Sequence, residues 1–231
     1  MTVSALTSPG LALVRYNADG TLDATFDDDG IVITPVAAGE GAAQTLVQQP
    51  DGMLITAGLN VAARYLSTGA QDTGGIAQVL FDPLQTAGGV SALAVQGDGK
   101  LVAAGDVTIG GRSSDMAVAR FDYANGLDPT FGSDTPVLGR RPPQPGHISA
   151  GSPLDEDVTA VALQDDGGIV LAGQIGTEAN ADFLLARFNP DGTTDRSCAL
   201  FGYNVLDFGH GRDRGKPSRS TPTTGSTWAD P

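Results

Sequence analysis

Four arginines in this chain are each followed, eight residues later, by an aspartate: Arg15 by Asp23, Arg64 by Asp72, Arg120 by Asp128 and Arg187 by Asp195. Arginines repeated in this way could hold an anion. The preferred reading is internal, because a guanidinium presents a fork of donors that matches a carboxylate, so each Arg is expected to bridge the turn that separates it from its Asp. Asp51-Gly52, Asp98-Gly99 and Asp166-Gly167 form a second recurring set. An Asp-Gly pair suits a tight hairpin, since Gly tolerates positive φ and Asp bonds its own backbone. Repetition in every unit argues for a structural duty in both sets.

Other chemistry is thin. His147 and His210 are the only histidines, and neither has a metal-ligand spacing around it. There is no Gly-x-Ser-x-Gly elbow and no phosphate or dinucleotide loop. Asn17–Asp23 and Asn189–Asp195 share the acidic alternation of calcium loops, but the spacing is short and the distal bidentate Glu is missing. They read as plain Asp-Gly turns. No cofactor is expected, calcium being the one candidate. Asp155 and Asp157 could serve as the paired carboxylates of a glycosidase, although acids are abundant everywhere in this chain.

Asp and Glu number 27 against 13 Lys and Arg, for a formal net charge of −14. That balance repels nucleic acid phosphates, so a nucleic acid partner is not expected. No apolar run reaches membrane-spanning length, and membrane insertion is not expected. The single cysteine, Cys198, excludes an internal disulfide framework and reads as a small hydrophobe. Met1–Val14 lacks the charged and apolar regions of a secretory signal. Export by that route is therefore not expected unless the natural N-terminus lies upstream, in which case the protein is secreted or on the surface.

The elements that must position these residues are short strands. Gln49-Pro50-Asp51-Gly52-Met53-Leu54-Ile55-Thr56-Ala57-Gly58 is matched by Gln96–Gly105 and Gln164–Gly173. Between these copies runs a second motif, Arg15-Tyr16-Asn17-Ala18-Asp19-Gly20 continuing to Thr25-Phe26. It recurs from Arg120 to Thr130-Phe131 and from Arg187 to Cys198, and in degenerate form from Arg64 to Gly74-Gly75. The arginines are 49, 56 and 67 residues apart, a period that signals an array of supersecondary units. Three full units are expected, each of four strands: Ile31–Val36, Ala43–Gln48, Met53–Ala57 and Asn60–Tyr65; Ile76–Phe81, Val90–Val95, Lys100–Ala104 and Met116–Phe121; Thr135–Leu138, Val158–Leu163, Gly168–Ala172 and Asp182–Phe188. Lone strands at Leu11–Tyr16 and Tyr203–Phe208 flank them. Leu101–Ala104 and Ile169–Ala172 are apolar throughout, as strands buried on both faces should be. The expectation is an all-β chain, a β-propeller-like array of four-stranded antiparallel blades, with a β-sandwich as the runner-up.

The paired motifs resemble the delta-60 repeat family, a bacterial propeller-forming repeat without an assigned activity. The resemblance covers about residues 11–208 and departs at Gly74-Gly75 and at Cys198, where the family has a Thr/Ser-Phe pair. Residues 1–10 are expected to be a flexible N-terminus and 209–231 a disordered polar tail. Three units with two lone strands are too few for a closed ring, which needs at least about four blades. The chain is therefore expected to be a piece of a longer array; the alternatives are an open arc or a homo-oligomer in which two chains complete one ring.

In such blades both motifs fall on one face, the second as the blade-to-blade connection. The other face collects the irregular loops Ala37–Ala42, Asp82–Gly89, Asp106–Asp115, Gln174–Ala181 and Gly139–Asp157. A protein or glycan ligand is expected there, because long loops on a rigid scaffold are the usual place for binding. The functional expectation is a non-enzymatic repeat module, for binding or as a structural part of a larger bacterial protein. The alternatives are a glycan-acting hydrolase using carboxylates on the irregular face, and a truncated fragment with no independent function.

Overall fold

A computed structural model describes residues 2–7, 10–36, 43–78, 81, 85–111, 113–122, 126–132, 147–149, 154–177, 180–198 and 203–206. Every regular element among them is a strand, and all pairing is antiparallel. Sheet I holds β1 (Thr2–Thr7), β2 (Gly10–Arg15) and β3 (Ile31–Pro35). Sheet II holds β4 (Thr45–Gln48), β5 (Leu54–Gly58), β6 (Val61–Tyr65) and β7 (Gln71–Gln78). Sheet III runs through β8 (Gln85–Val95), β9 (Leu101–Ile109) and β10 (Ser114–Asp122), whose free side pairs with the short β11 (Gly126–Leu127) and β12 (His147–Ser149). Sheet IV holds β13 (Glu156–Leu163), β14 (Ile169–Thr177), β15 (Asn180–Phe188) and β16 (Tyr203–Leu206).

The strands lie where the motifs predict, but their grouping into sheets is shifted by one. Ile31–Pro35 pairs back onto β2, and Gln71–Gln78, which includes Ile76, pairs back onto β6. Tyr203–Leu206 pairs with β15 and Gly10–Arg15 with both β1 and β3, so neither is a lone strand. The second motif therefore joins adjacent strands of one sheet, and the sheet-to-sheet connections fall on the opposite face. The cause is local: Asn17, Leu66 and Asn189 each close a tight turn with a backbone hydrogen bond to the residue four positions on, and a turn this tight forces its flanks to pair. Thr2–Thr7, inside the stretch expected to be flexible, is the edge strand of sheet I. Thr135–Leu138 and the tail 209–231 lie outside the described residues.

Three of the loops on the irregular face are shorter than expected. β9 and β10 run on to Ile109 and from Ser114, with Gly110 and Gly111 at φ 64° and 68° closing the hairpin. Gln174–Thr177 and Asn180–Ala181 are likewise paired strand, and Gln85–Gly89 belongs to β8. His147, expected in a loop, sits opposite Ala119 in β12. Hairpin pairing continues outward for as long as both flanks can stay extended, and the polar residues here do not interrupt it. Ala37–Ala42 is outside the described residues.

The sheets stack face to face in chain order, with a separate core at each seam. Leu11, Leu13, Phe26 and Tyr65 fill the I–II seam. Ile55, Ala57, Leu101, Ala103 and Ala117 fill II–III. Val102, Val118, Phe131, Ile169, Leu171 and Leu184 fill III–IV. Inner strands caught between two seams are buried on both faces, as Leu54–Gly58 and Leu101–Gly105 are. β14 is different. Its burial alternates residue by residue from Ile169 onward, because only one face of sheet IV is covered.

Two seams carry an additional aromatic lock. The Phe26 ring packs on Gly69 in the neighbouring turn, and the Phe131 ring on Gly192. Both glycines have positive φ, at 96° and 84°, and a Cβ on Gly192 would lie 2.7 Å from the Phe131 ring. Gly20 holds the same turn position at φ 86° with no atom within 4 Å of a Cβ. Gly20→Ala should therefore cost only the left-handed backbone penalty of about 1–2 kcal/mol. Gly192→Ala should cost about 1–3 kcal/mol more, because it also overpacks the ring; urea unfolding of the two variants checks the difference.

Candidate functional site

All four expected Arg–Asp pairs form. Arg15 Nε lies 2.8 Å from Asp23, Arg64 Nη2 2.6 Å from Asp72 and Arg120 Nε 2.9 Å from Asp128, while Arg187 Nη1 pairs with Asp195. Three of the aspartates also fold back on their own chain. Asp23 Oδ1 accepts from the backbone N–H and the hydroxyl of Thr25, Asp128 Oδ1 from those of Thr130, and Asp195 Oδ1 from those of Ser197. The turn thus presents its second carboxylate oxygen to the guanidinium in a fixed place.

The arginines then reach into the next sheet. Arg15 Nη1 donates to the carbonyl of Ser67, and Arg120 Nη1 to the carbonyl of Pro190 at 2.9 Å. One residue further along each receiving turn, Thr68 accepts from Asp27 N and Asp191 accepts from Gly132 N, both at 2.8 Å. The guanidinium carbons of Arg15 and Arg120 lie 4.5 and 4.9 Å from the centres of the Phe26 and Phe131 rings. Arg, Asp, Thr and Phe therefore form one clasp that fastens sheet I to sheet II and sheet III to sheet IV. Arg187, whose unit has Cys198 in place of Phe, turns instead to Gln164 and Asp166 of its own sheet.

The Asp-Gly set is hairpin chemistry. Asp51, Asp98 and Asp166 each accept from the backbone N–H two residues on, at 3.0, 3.1 and 2.8 Å, and Gly52, Gly99 and Gly167 follow at φ 82–86°. Lys100 adds a 2.8 Å bond from its ammonium to Asp128. Burial alone would raise the Asp128 carboxyl. Hydrogen bonds from Lys100 and Thr130, with the charge of Arg120, overcome that and hold it far below the usual carboxylate range. A cleft of about 450 Å³ opens beside this group between the Gln96–Asp98 and Gln164–Gly167 hairpins, floored by Arg120.

At the opposite end of the III–IV seam, Asp155 and Asp157 belong to an acidic group whose other members, Asp106 and Glu156, no motif singles out. Ser114 Oγ donates to Asp106 at 2.9 Å, Ser114 N to Asp155 at 3.0 Å, and Met116 N to the 1%-exposed Glu156 at 3.0 Å. Asp157 accepts from Gln174 Nε2 at 3.0 Å. Burial, with the nearby charge of Asp157, raises the Asp106 carboxyl against the lowering effect of Ser114. Asp155 and Asp157 are thus both engaged in stitching strands together. Of the clasp, the Thr/Ser hydroxyls and the glutamines Gln96 and Gln164 were missed. The recurring Asp-x-Thr/Ser triplet and the Gln that opens each hairpin motif were the available signals. Among the described residues, no three His, Cys, Asp or Glu side chains converge on a metal-sized site.

Arg120 and Asp128 are 9% and 7% exposed, so Arg120→Ala takes one of two cationic partners from a buried carboxylate, leaving Lys100, and removes the bond to the Pro190 carbonyl; it should cost about 1.5–3 kcal/mol of unfolding free energy. Arg15→Ala, at a pair with side chains about a fifth exposed, should cost about 1 kcal/mol. A lowered carboxyl stabilises the fold above its unfolded value and loses that contribution as pH falls through the folded one. Wild type should therefore lose stability in acid from about pH 4 downward. Asp128→Asn should be less stable at neutral pH and show a smaller acid loss, read from denaturant midpoints across that range.

A family model described as a domain of unknown function (DUF5122) β-propeller matches residues 2–26, 96–131 and 164–197. Those stretches contain the Arg15, Arg120 and Arg187 turns; the degenerate Arg64 turn lies outside them. No curated protein matches the chain. Among solved structures, a protein of unknown function from Bacteroides caccae aligns with a TM-score of 0.43 at 8% identity, over 88% of this chain and 67% of that one. The extracellular domain of a one-component system from B. thetaiotaomicron aligns with a TM-score of 0.37 at 10% identity, over 90% of this chain and 28% of that one. The chain is an all-β array of stacked antiparallel sheets, an incomplete propeller over its described residues, similar at three of its four turns to a β-propeller family of unknown function.

Proposed function

We propose that this chain is a non-enzymatic β-propeller repeat module of the delta-60 type, which serves a larger bacterial protein as a binding or structural part and contacts its partner on the face opposite the Arg–Asp clasps. The observation that carries this reading is the saturation of the clasp face. Its repeated charged groups, Arg15, Arg64, Arg120 and Arg187 with their aspartates, are committed to one another. The opposite face keeps its polar groups at strand ends, with Asp106, Asp155 and Asp157 gathered at the III–IV seam. Acidic groups held by a rigid sheet frame suit a hydroxyl-rich glycan or a basic protein segment, through hydrogen bonds that carboxylates accept.

The hydrolase alternative draws on the same seam, since the raised Asp106 carboxyl beside Asp157 has the environment of an acid–base pair. Incubation with a panel of soluble oligosaccharides separates the two readings. The expected outcome is no release of reducing ends by wild type, with any binding weakened in Asp106→Asn and Asp157→Asn. Reducing-end release that Asp157→Asn abolishes overturns the module reading.

A further inference from the structure

Among the described residues, the three buried cores leave the outer faces of the two end sheets without a partner sheet, and these faces are complementary. Ile169, Leu171, Leu184 and Ala186 point into the III–IV seam, so the alternate residues Val170, Ala172, Phe183 and Leu185 point away from it. This outer face is apolar, yet Val170, Ala172 and Leu185 are only half-buried, and Phe183 and the neighbouring Leu206 are 38% and 47% exposed. At the other end, Leu11 and Leu13 point into the I–II seam, which leaves the half-buried Val14 and the 60%-exposed Ile33 on the outer face of sheet I, beside Ala12, which is itself buried.

The repeat register identifies what these faces correspond to. Aligning Asp166 with Asp51 and Arg187 with Arg64 places Val170, Ala172 and Leu185 at the positions of Ile55, Ala57 and Ala62. Those three are 0%, 0% and 6% exposed, buried against sheet III. Aligning Arg15 with Arg120 places Ala12 and Val14 at the positions of Ala117 and Ala119, which line the sheet III side of the same seam. The outer face of sheet IV is thus a second copy of the sheet II surface, and the outer face of sheet I a second copy of the sheet III surface that receives it.

The clasps follow the same order. The I–II and III–IV seams have a Phe lock; at the II–III seam the Arg64 unit carries Gly74-Gly75 in place of Thr-Phe, and the turn that would receive a ring includes residues 123–125, outside the described ones. II–III nonetheless packs a continuous core and adds a hydrogen bond from Gln49 Nε2 to the Gly99 carbonyl at 3.3 Å. Sheet IV carries Cys198 where the locking Phe stands, as the Arg64 unit carries Gly75, and Gly20 on sheet I has no atom within 4 Å of an added Cβ, so a further seam from sheet IV to sheet I would match II–III in having no Phe at that position. We infer that the outer face of sheet IV docks on the outer face of sheet I of a second copy of this chain, head to tail, reproducing the II–III seam. Two copies joined this way at both ends bring eight sheets together, within the roughly four-to-eight range of closed propellers.

Light scattering after size exclusion tests this on the full chain at micromolar concentration. The expected mass is two chains or a higher multiple, with Val14→Lys and Leu185→Lys each reducing it to one chain at unchanged strand signal in circular dichroism. Because the contact is heterologous, each variant retains one intact face of opposite kind, so mixing the two should restore a dimer. A wild-type monomer overturns the inference, as does a dimer that survives both substitutions. A mixture that stays monomeric overturns the head-to-tail arrangement.

Discussion

The clasp built on Arg15 and Arg120 is the contact on which the array depends. One guanidinium serves acceptors in two sheets. Nε holds the Asp of its own turn, Nη1 takes a backbone carbonyl of the next sheet, and the plane lies over a phenylalanine. Desolvating Arg120 and Asp128 costs free energy that their attraction alone barely offsets. The remaining donors and lone pairs find Thr130, Lys100 and Pro190, so the group is close to fully satisfied. Direction is built in as well. A turn gives through its Arg and Phe and receives through its carbonyls and Gly, so sheets can stack in only one sense.

That polarity separates the two ends of the molecule. Along the clasp face, recurring polar residues are drawn into seams and hairpins, and the cleft beside Asp128 is floored by an already occupied arginine. Across the opposite end the chain varies in length from unit to unit, and the carboxylates at the III–IV seam take whatever donors the strand ends supply. A scaffold that fastens itself on one face is free to diversify on the other, which is the general arrangement of rigid frames that carry loops.

Strands and turns were legible in the residue pattern; sheet membership was not. The Gln-x-Asp-Gly and Asn-x-Asp-Gly motifs both carry Asp-Gly turn chemistry, so both should have been read as hairpins that pair their flanks. Treating the second as a crossover moved Ile31–Pro35 and Tyr203–Leu206 into the wrong sheets. The Arg–Asp pairing was visible because eight residues span one such turn. Pro190 and Ser67 could not be found as partners, since they lie 70 and 52 residues away and contribute only carbonyl oxygens. The partners of Asp155 and Asp157 at the acidic seam were hidden for another reason. Asp106, Ser114 and Glu156 come from three strands in two sheets, with no shared motif to connect them.

The receiving turns have one more property of consequence. Ser67-Thr68-Gly69 and Pro190-Asp191-Gly192 share only the glycine, yet each offers its two carbonyls to the same pair of donors. A contact that reads main-chain oxygens is indifferent to the side chains that flank them. Units of this kind can drift apart in sequence, or be duplicated and reshuffled, while still recognising one another, provided the giving side keeps its Arg and the receiving side its Gly. Divergence between neighbouring units is therefore cheap on one side of each clasped seam and restricted on the other.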